Sequence, residues 1–210
     1  MVAFRLTKRH LKSALDKISA RDGDMAKALK LIGYPEARRN PKGFQTLMHI
    51  LAAQQLSTRA AASIIGRLHD ACAPELAPES FMRLDDEAIR AVGFSRQKLA
   101  YGRGLSEAVQ SGSLVLKRLE TMTDQEVLEA LTALKGFGRW SAEMYMIASL
   151  GRPDVWPADD LAVQEGVRRL KGLEARPGQK EMDAIAEPWR PYRTAAAIFI
   201  WHYYKKAPPL

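Results

Sequence analysis

Apolar residues return every three to four positions through most of the chain, and that spacing predicts one helix after another. Leu11, Leu15 and Ile18 mark the first, interrupted by Asp22-Gly23-Asp24; Met25, Leu29 and Ile32 mark the second, closed by Gly33-Tyr34-Pro35. A polar connection, Arg38-Arg39-Asn40-Pro41, leads to a strong face of Phe44, Leu47, Ile50 and Leu51. That helix ends in Gln54-Gln55-Leu56-Ser57-Thr58, and the next carries Ala61, Ile64, Ile65 and Leu68 inward. Cys72 to Pro78 reads as loop. Leu84-Asp85 with Ala88, Ile89 and Val92 is a short capped helix ending at Gly93, and Ser95 starts another with Leu99, Leu105 and Val109. Thr123 and Glu126 form a capping box before Val127, Leu128 and Leu131.

After a break at Gly136 and Gly138, Trp140, Met144, Ile147 and Ala148 recur on one helical face, with Arg139 and Glu143 on another side, until Gly151 and Pro153 end it. Leu161, Val163, Val167 and Leu170 follow, then a turn-rich loop from Gly172 to Gln179. Glu187-Pro188-Trp189-Arg190-Pro191 opens the last helix. From Tyr192 to Tyr204 it is apolar on nearly every side, so it should run through the middle of the body, with Trp201 in the core. No segment alternates with period two and none repeats. The pattern predicts an all-α chain of about ten helices, averaging about a dozen residues, in a single domain over 1–210.

Composition adds bounds. A chain of 210 residues, 47% hydrophobic and 27% charged, suits one well-buried domain. No apolar run approaches the roughly 18 residues of a membrane span, and the basic start, with Arg5, Lys8, Arg9 and Lys12, is no secretory signal. Those four cations either touch phosphates or form a solvated face. No membrane partner is expected, and the protein should work in the cytosol or beside the genome: cytoplasmic and nucleoid-associated if bacterial, nuclear if eukaryotic. A net charge of +8 and a pI near 9.7 suit a polyanionic partner. One cysteine, Cys72, excludes a disulfide framework or a four-thiolate cluster, and the scattered His10, His49, His69 and His202 lack zinc spacing.

Candidate chemistry lies in two places. Leu134-Lys135-Gly136-Phe137-Gly138-Arg139 joins two helices, with glycines that let the backbone turn sharply and approach a ligand. The start of the second helix then offers N–H groups and a dipole to an anion such as a DNA phosphate. The other reading is a plain helix corner packed by glycines. Further on, Trp156-Pro157-Ala158-Asp159-Asp160 precedes a helix, and one aspartate caps it. Two aspartates are one more than a cap requires. At Gln54-Gln55-Leu56, the glutamines either satisfy helix-end carbonyls or stand at the tip of a tight corner for another purpose.

Hairpin, Trp140 and an aspartate about twenty residues on in Pro-x-Asp-Asp-Leu together resemble the helix-hairpin-helix DNA glycosylase superfamily, in the DNA-3-methyladenine glycosylase II branch. The likeness runs from about Phe44 to Tyr204. It implies two lobes around a central cleft and a monofunctional enzyme of base excision repair. Such an enzyme flips alkylated purines such as 3-methyladenine and 7-methylguanine out of double-stranded DNA and hydrolyses their N-glycosidic bond. The resemblance makes Asp160 the catalytic carboxylate and Asp159 the capping neighbour, and assigns the base pocket to Trp140, Tyr192 and Trp189. Met144 and Leu161 stand where pocket tyrosines are expected. It makes Lys135, Gly136, Phe137, Gly138 and Arg139 the DNA-binding hairpin. Gln55 becomes the minor-groove wedge, with Gln54 close behind and Leu56 beside them. The family often completes the hairpin with Na+ or K+ held by carbonyls, here those of Thr132, Leu134 and Phe137; no other cofactor is implied, and the enzyme is expected to be a monomer. Gly93 to Lys98 also resembles the family, in a role of fold and phosphate steering. Trp140 occupies the position of the lysine that lyase members use, so no Schiff base is expected there. The alternative is a helix-hairpin-helix protein that binds DNA without catalysis.

Overall fold

The structure, a computed structural model, describes residues 6–37 and 39–207; Arg5 and Arg38 lie outside them. Among the described residues it is all-helical, with no strand. The helices are α1 (Lys8–Ser19), α2 (Gly23–Ile32), α3 (Phe44–Ala53), α4 (Thr58–Ala71), α5 (Pro78–Arg83) and α6 (Asp86–Val92). Then come α7 (Arg96–Gln110), α8 (Asp124–Thr132), α9 (Arg139–Tyr145), α10 (Leu161–Lys171), α11 (Gln179–Ala186) and α12 (Arg193–Lys206). Two of the twelve, α5 and α11, fall outside the predicted ten. At six and eight residues they give too few turns for a periodic stripe, and local devices hold them instead. Pro78 starts α5 with the Ser80 hydroxyl accepting from the Ala77 N–H at 2.9 Å, and α11 buries Met182 and Ala186.

Two compact units divide the chain. Residues 40–150 form one, organised on α3, which packs on α4, α7 and α9 and is buried along most of its length. The described residues of 1–39 and 151–210 form the other. Its core gathers Leu11, Leu15 and Ile18 of α1, Val163 and Val167 of α10, and Phe199 and Ile200 of α12. The predicted central position of the last helix holds within this unit, where α12 packs on α10, α1 and α2. At Gly166 the backbones of α10 and α12 come so close that a Cβ would meet Ile200 Cγ2 at 2.4 Å. Lys12 of the basic N-terminal helix pairs with Asp16 on an exposed face. No helix among the described residues is long and apolar enough to cross a membrane.

Candidate functional site

In the 40–150 unit the glycine hairpin forms as the pattern predicts. Thr123 and Glu126 cap α8 reciprocally, and Phe137 N–H donates to Leu134 O at 3.1 Å to close the turn, with the Phe137 side chain buried beneath it. Gly136 is at φ +89, and the Tyr101 ring lies so close that a Cβ there would meet it at 2.2 Å, so both backbone and space require glycine. Gly138 is extended at φ −87 and gives α9 no side-chain cap, which leaves the turn open to an external anion. Lys135 and Arg139 are exposed beside it.

The predicted faces of α9 need correction. Ser141, Ala142, Glu143 and Tyr145 are buried, while Trp140, Met144 and Ala148 are only half-buried. Arg139 Nε donates to Glu143 Oε1 at 2.8 Å, which lets the carboxylate be buried, and the Tyr145 hydroxyl accepts from Gly43 N–H at 2.9 Å. Trp140 and Met144 therefore lie off the buried face and are partly exposed.

At the α3–α4 corner the two glutamines separate. Gln55 is exposed with φ +57, and Leu56 beside it is exposed too. Gln54 is committed elsewhere: its Nε2 donates to Gly136 O at 2.8 Å and to Ser141 Oγ at 3.0 Å. To enter a groove it would have to give up both bonds, which sets it apart from the exposed Gln55. Lys98 of α7 donates to Ala52 O and Gln54 O, both at 2.8 Å, and burial lowers its pKa below the usual lysine value. Corner, hairpin and the start of α7 surround a cavity of about 530 Å³.

Thr132, Leu134 and Phe137 all line that cavity. Thr132 and Leu134 lie at the negative end of α8 and Phe137 in the hairpin beyond it, and their peptide carbonyls are neutral, hard oxygen donors of a kind that suits Na+ or K+. Leu134 O accepts one N–H and has a second lone pair to offer. Among the described residues no three His, Cys, Asp or Glu side chains stand together to hold a metal.

In the other unit the loop before α10 is fixed from several sides. Trp156 is buried and donates Nε1–H to Met182 O at 3.1 Å; Val155 N–H donates to Thr194 Oγ at 3.0 Å; Gln164 folds back to donate to Ala158 O at 2.9 Å. Asp160 stands at its end, half-buried, and Asp159 is exposed. Asp160, not Asp159, is the cap: its Oδ1 accepts from Ala162 N–H at 3.0 Å and Val163 N–H at 2.9 Å. The same Oδ1 also accepts from the Trp201 indole N–H at 3.0 Å. Leu161 is 66% exposed next to it.

Trp189 is corrected from a pocket residue to a core residue. It is fully buried, meets Trp156 edge to face at 5.3 Å, and donates Nε1–H to Asp22 Oδ2 at 2.8 Å, so it has no face to offer a base. Burial opposes the Asp22 charge, but the Lys171 ammonium, the Trp189 indole and the Met25 N–H outweigh it and hold the carboxyl below its ordinary range. Tyr192 is half-buried with Lys17 over its ring at 5.0 Å and bonded to its hydroxyl. Trp201 packs against the core as predicted, and its indole N–H also reaches the candidate carboxylate. The only sequence signal for that contact is chemical: a partly buried indole N–H needs an acceptor, and Asp160 is 41 residues away.

Comparison with known proteins identifies the family. Residues 48–191 match the HhH-GPD superfamily of base excision DNA repair proteins. DNA-3-methyladenine glycosylase 1 of Schizosaccharomyces pombe is 35% identical over 90% of this chain and 86% of its own. A structure of the 3-methyladenine DNA glycosylase Mag1 from the same yeast, in complex with abasic DNA, superposes with a TM-score of 0.83 at 33% identity, covering 90% of this chain and 95% of that one. The DNA-3-methyladenine glycosidase structure from Bacillus halodurans gives 0.78 at 36%, covering 92% and 89%. With its glycine hairpin and the aspartate that follows, the chain belongs to the HhH-GPD superfamily of base excision DNA repair proteins.

Proposed function

We propose that this protein is a monofunctional DNA glycosylase which, as a monomer, removes alkylated purines such as 3-methyladenine and 7-methylguanine from double-stranded DNA by hydrolysis. The observation that carries the reading is Asp160. Capping α10 needs only the two backbone amides; the Trp201 indole is a third donor, reaching the same oxygen from α12 and holding it in place. An alkylated purine already carries positive charge, so its bond to the sugar breaks toward an oxocarbenium-like centre without an acid to protonate the leaving group. One carboxylate then suffices, where ordinary glycoside hydrolysis flanks the bond with two. Asp160 stabilises the developing cation and orients the attacking water. Aromatic faces attract electron-poor, cationic bases, which is the role assigned to Trp140 and Tyr192.

Grip and chemistry are separate tasks here. Hairpin amides hold phosphate without reading sequence, and Gln55 fills the stack where the base leaves. Relatives named for 3-methyladenine support the substrate class. The test is to incubate the protein with methylated duplex, identify released bases by chromatography, and compare strand breaks before and after mild alkali. The expected result is free methylated purine, breaks only after alkali, and no adduct trapped by borohydride. A trapped adduct formed as fast as base is released would make an amine the nucleophile, with exposed Lys135 the first to examine.

A further inference from the structure

The corner between α3 and α4 is a type II turn over Ala53–Leu56: Leu56 N–H donates to Ala53 O at 3.2 Å, Gln54 is at φ −52, ψ 131, and Gln55 is at φ +57. The third position of such a turn normally takes glycine or asparagine. A long side chain held there at positive φ is strained, and persists only where its surroundings over-determine the backbone. Those surroundings are specific. Lys98 Nζ holds the carbonyls of Ala52 and Gln54, and Gln54 sends its own amide into the hairpin at Gly136 O and Ser141 Oγ. One turn beyond Lys98 on the same helix, Tyr101 packs its ring on Gly136. Corner, α7 and hairpin are thus tied pairwise, all within the 40–150 unit.

We propose that Gln54 and Lys98 are positioning residues that lock the Gln55 turn to the phosphate-gripping hairpin at fixed separation, so that DNA seated on the hairpin meets Gln55 already aligned. The ordering is completed in folding and is not repeated for each encounter with DNA. Phosphate contact is made by the hairpin backbone and nucleotide extrusion by Gln55; Gln54 and Lys98 touch neither DNA nor the reacting atoms. Loosening either one leaves the grip intact and weakens extrusion. The inference rests on the assignment of Gln55 as wedge, and the test separates the two.

The substrates are a duplex with one 7-methylguanine opposite cytosine and the same lesion opposite a tetrahydrofuran abasic analogue, where no pair must be broken. An undamaged duplex reports the grip. Gln54→Leu and Lys98→Met should each lower kcat on the paired lesion by about 10²-fold, the usual scale for a misplacement of about 1 Å. KM and affinity for undamaged duplex should change less than about threefold, and excision opposite the analogue less than about tenfold. Lys98→Arg should recover most of the loss, since a guanidinium also reaches two carbonyls. Equal loss on both substrates, a matching loss of undamaged-duplex affinity, or wild-type rates in both variants while Gln55→Ala is impaired would overturn the positioning role. Wild-type rates from Gln55→Ala would remove the wedge itself, and the proposal with it.

Discussion

Asp160 serves two ends with one oxygen, as helix cap and as acceptor of the Trp201 indole. Trp201→Phe keeps the ring and deletes that N–H. It should lower kcat about tenfold with KM nearly unchanged, and cost about 1 kcal/mol of stability. A fall in melting temperature with kcat unaltered would confine the bond to a structural role. Asp159→Asn, at an exposed position that caps nothing, should shift stability by less than about 0.5 kcal/mol in a denaturant titration. The hairpin-to-aspartate spacing pointed to Asp160, but which aspartate caps was not legible, because adjacent aspartates suit an N-cap equally. The partners of the two tryptophan indoles were hidden for a similar reason. Trp189 is buried against Asp22, 167 residues away, and Trp201 reaches Asp160 across 41, and no local pattern encodes either pairing.

Among the elements, the hairpin carries the strictest steric demand. Gly136→Ala places a Cβ in the Tyr101 ring at φ +89 and should destabilise the protein by roughly 1–3 kcal/mol. Its affinity for any duplex should fall whatever the sequence. Gly138→Ala has open space and extended backbone, and should cost far less in melting temperature. Capping box and glycines made this element readable in advance. α5 and α11 were not, for lack of turns, and the burial of Glu143 was hidden because it depends on Arg139 neutralising it. α3 and α4 are joined by His49 and His69, Nε2 to Nε2 at 2.8 Å, a bond that needs one ring to accept. Burial, then the neighbouring His69, lowers the His49 pKa below its ordinary 6.5. The unfolded chain therefore binds this proton more readily than the folded one, so the stabilisation is full above about pH 6.5 and is lost as pH falls below it. Thermal melts from pH 7.5 to 5.5 should show that decline, and His49→Gln should flatten it. A slope unchanged by the substitution would place the titration elsewhere.

For the molecule as a whole, a charge of +8 describes encounter with DNA and not chemistry. Duplex affinity should fall with a log–log salt slope of at least about 2, at roughly 0.9 per phosphate neutralised. A flat salt response would contradict a phosphate grip. The central claim is that one carboxylate, Asp160, breaks the glycosidic bond, and Asp160→Asn tests it cleanly because asparagine caps a helix about as well as aspartate does. Single-turnover release of 7-methylguanine from methylated duplex, measured beside duplex affinity, is the decisive comparison. The variant should fold, bind DNA at least as tightly as the parent, and release base on the order of 10³-fold more slowly or not at all. Release at the parental rate from a folded Asp160→Asn protein would contradict the assignment.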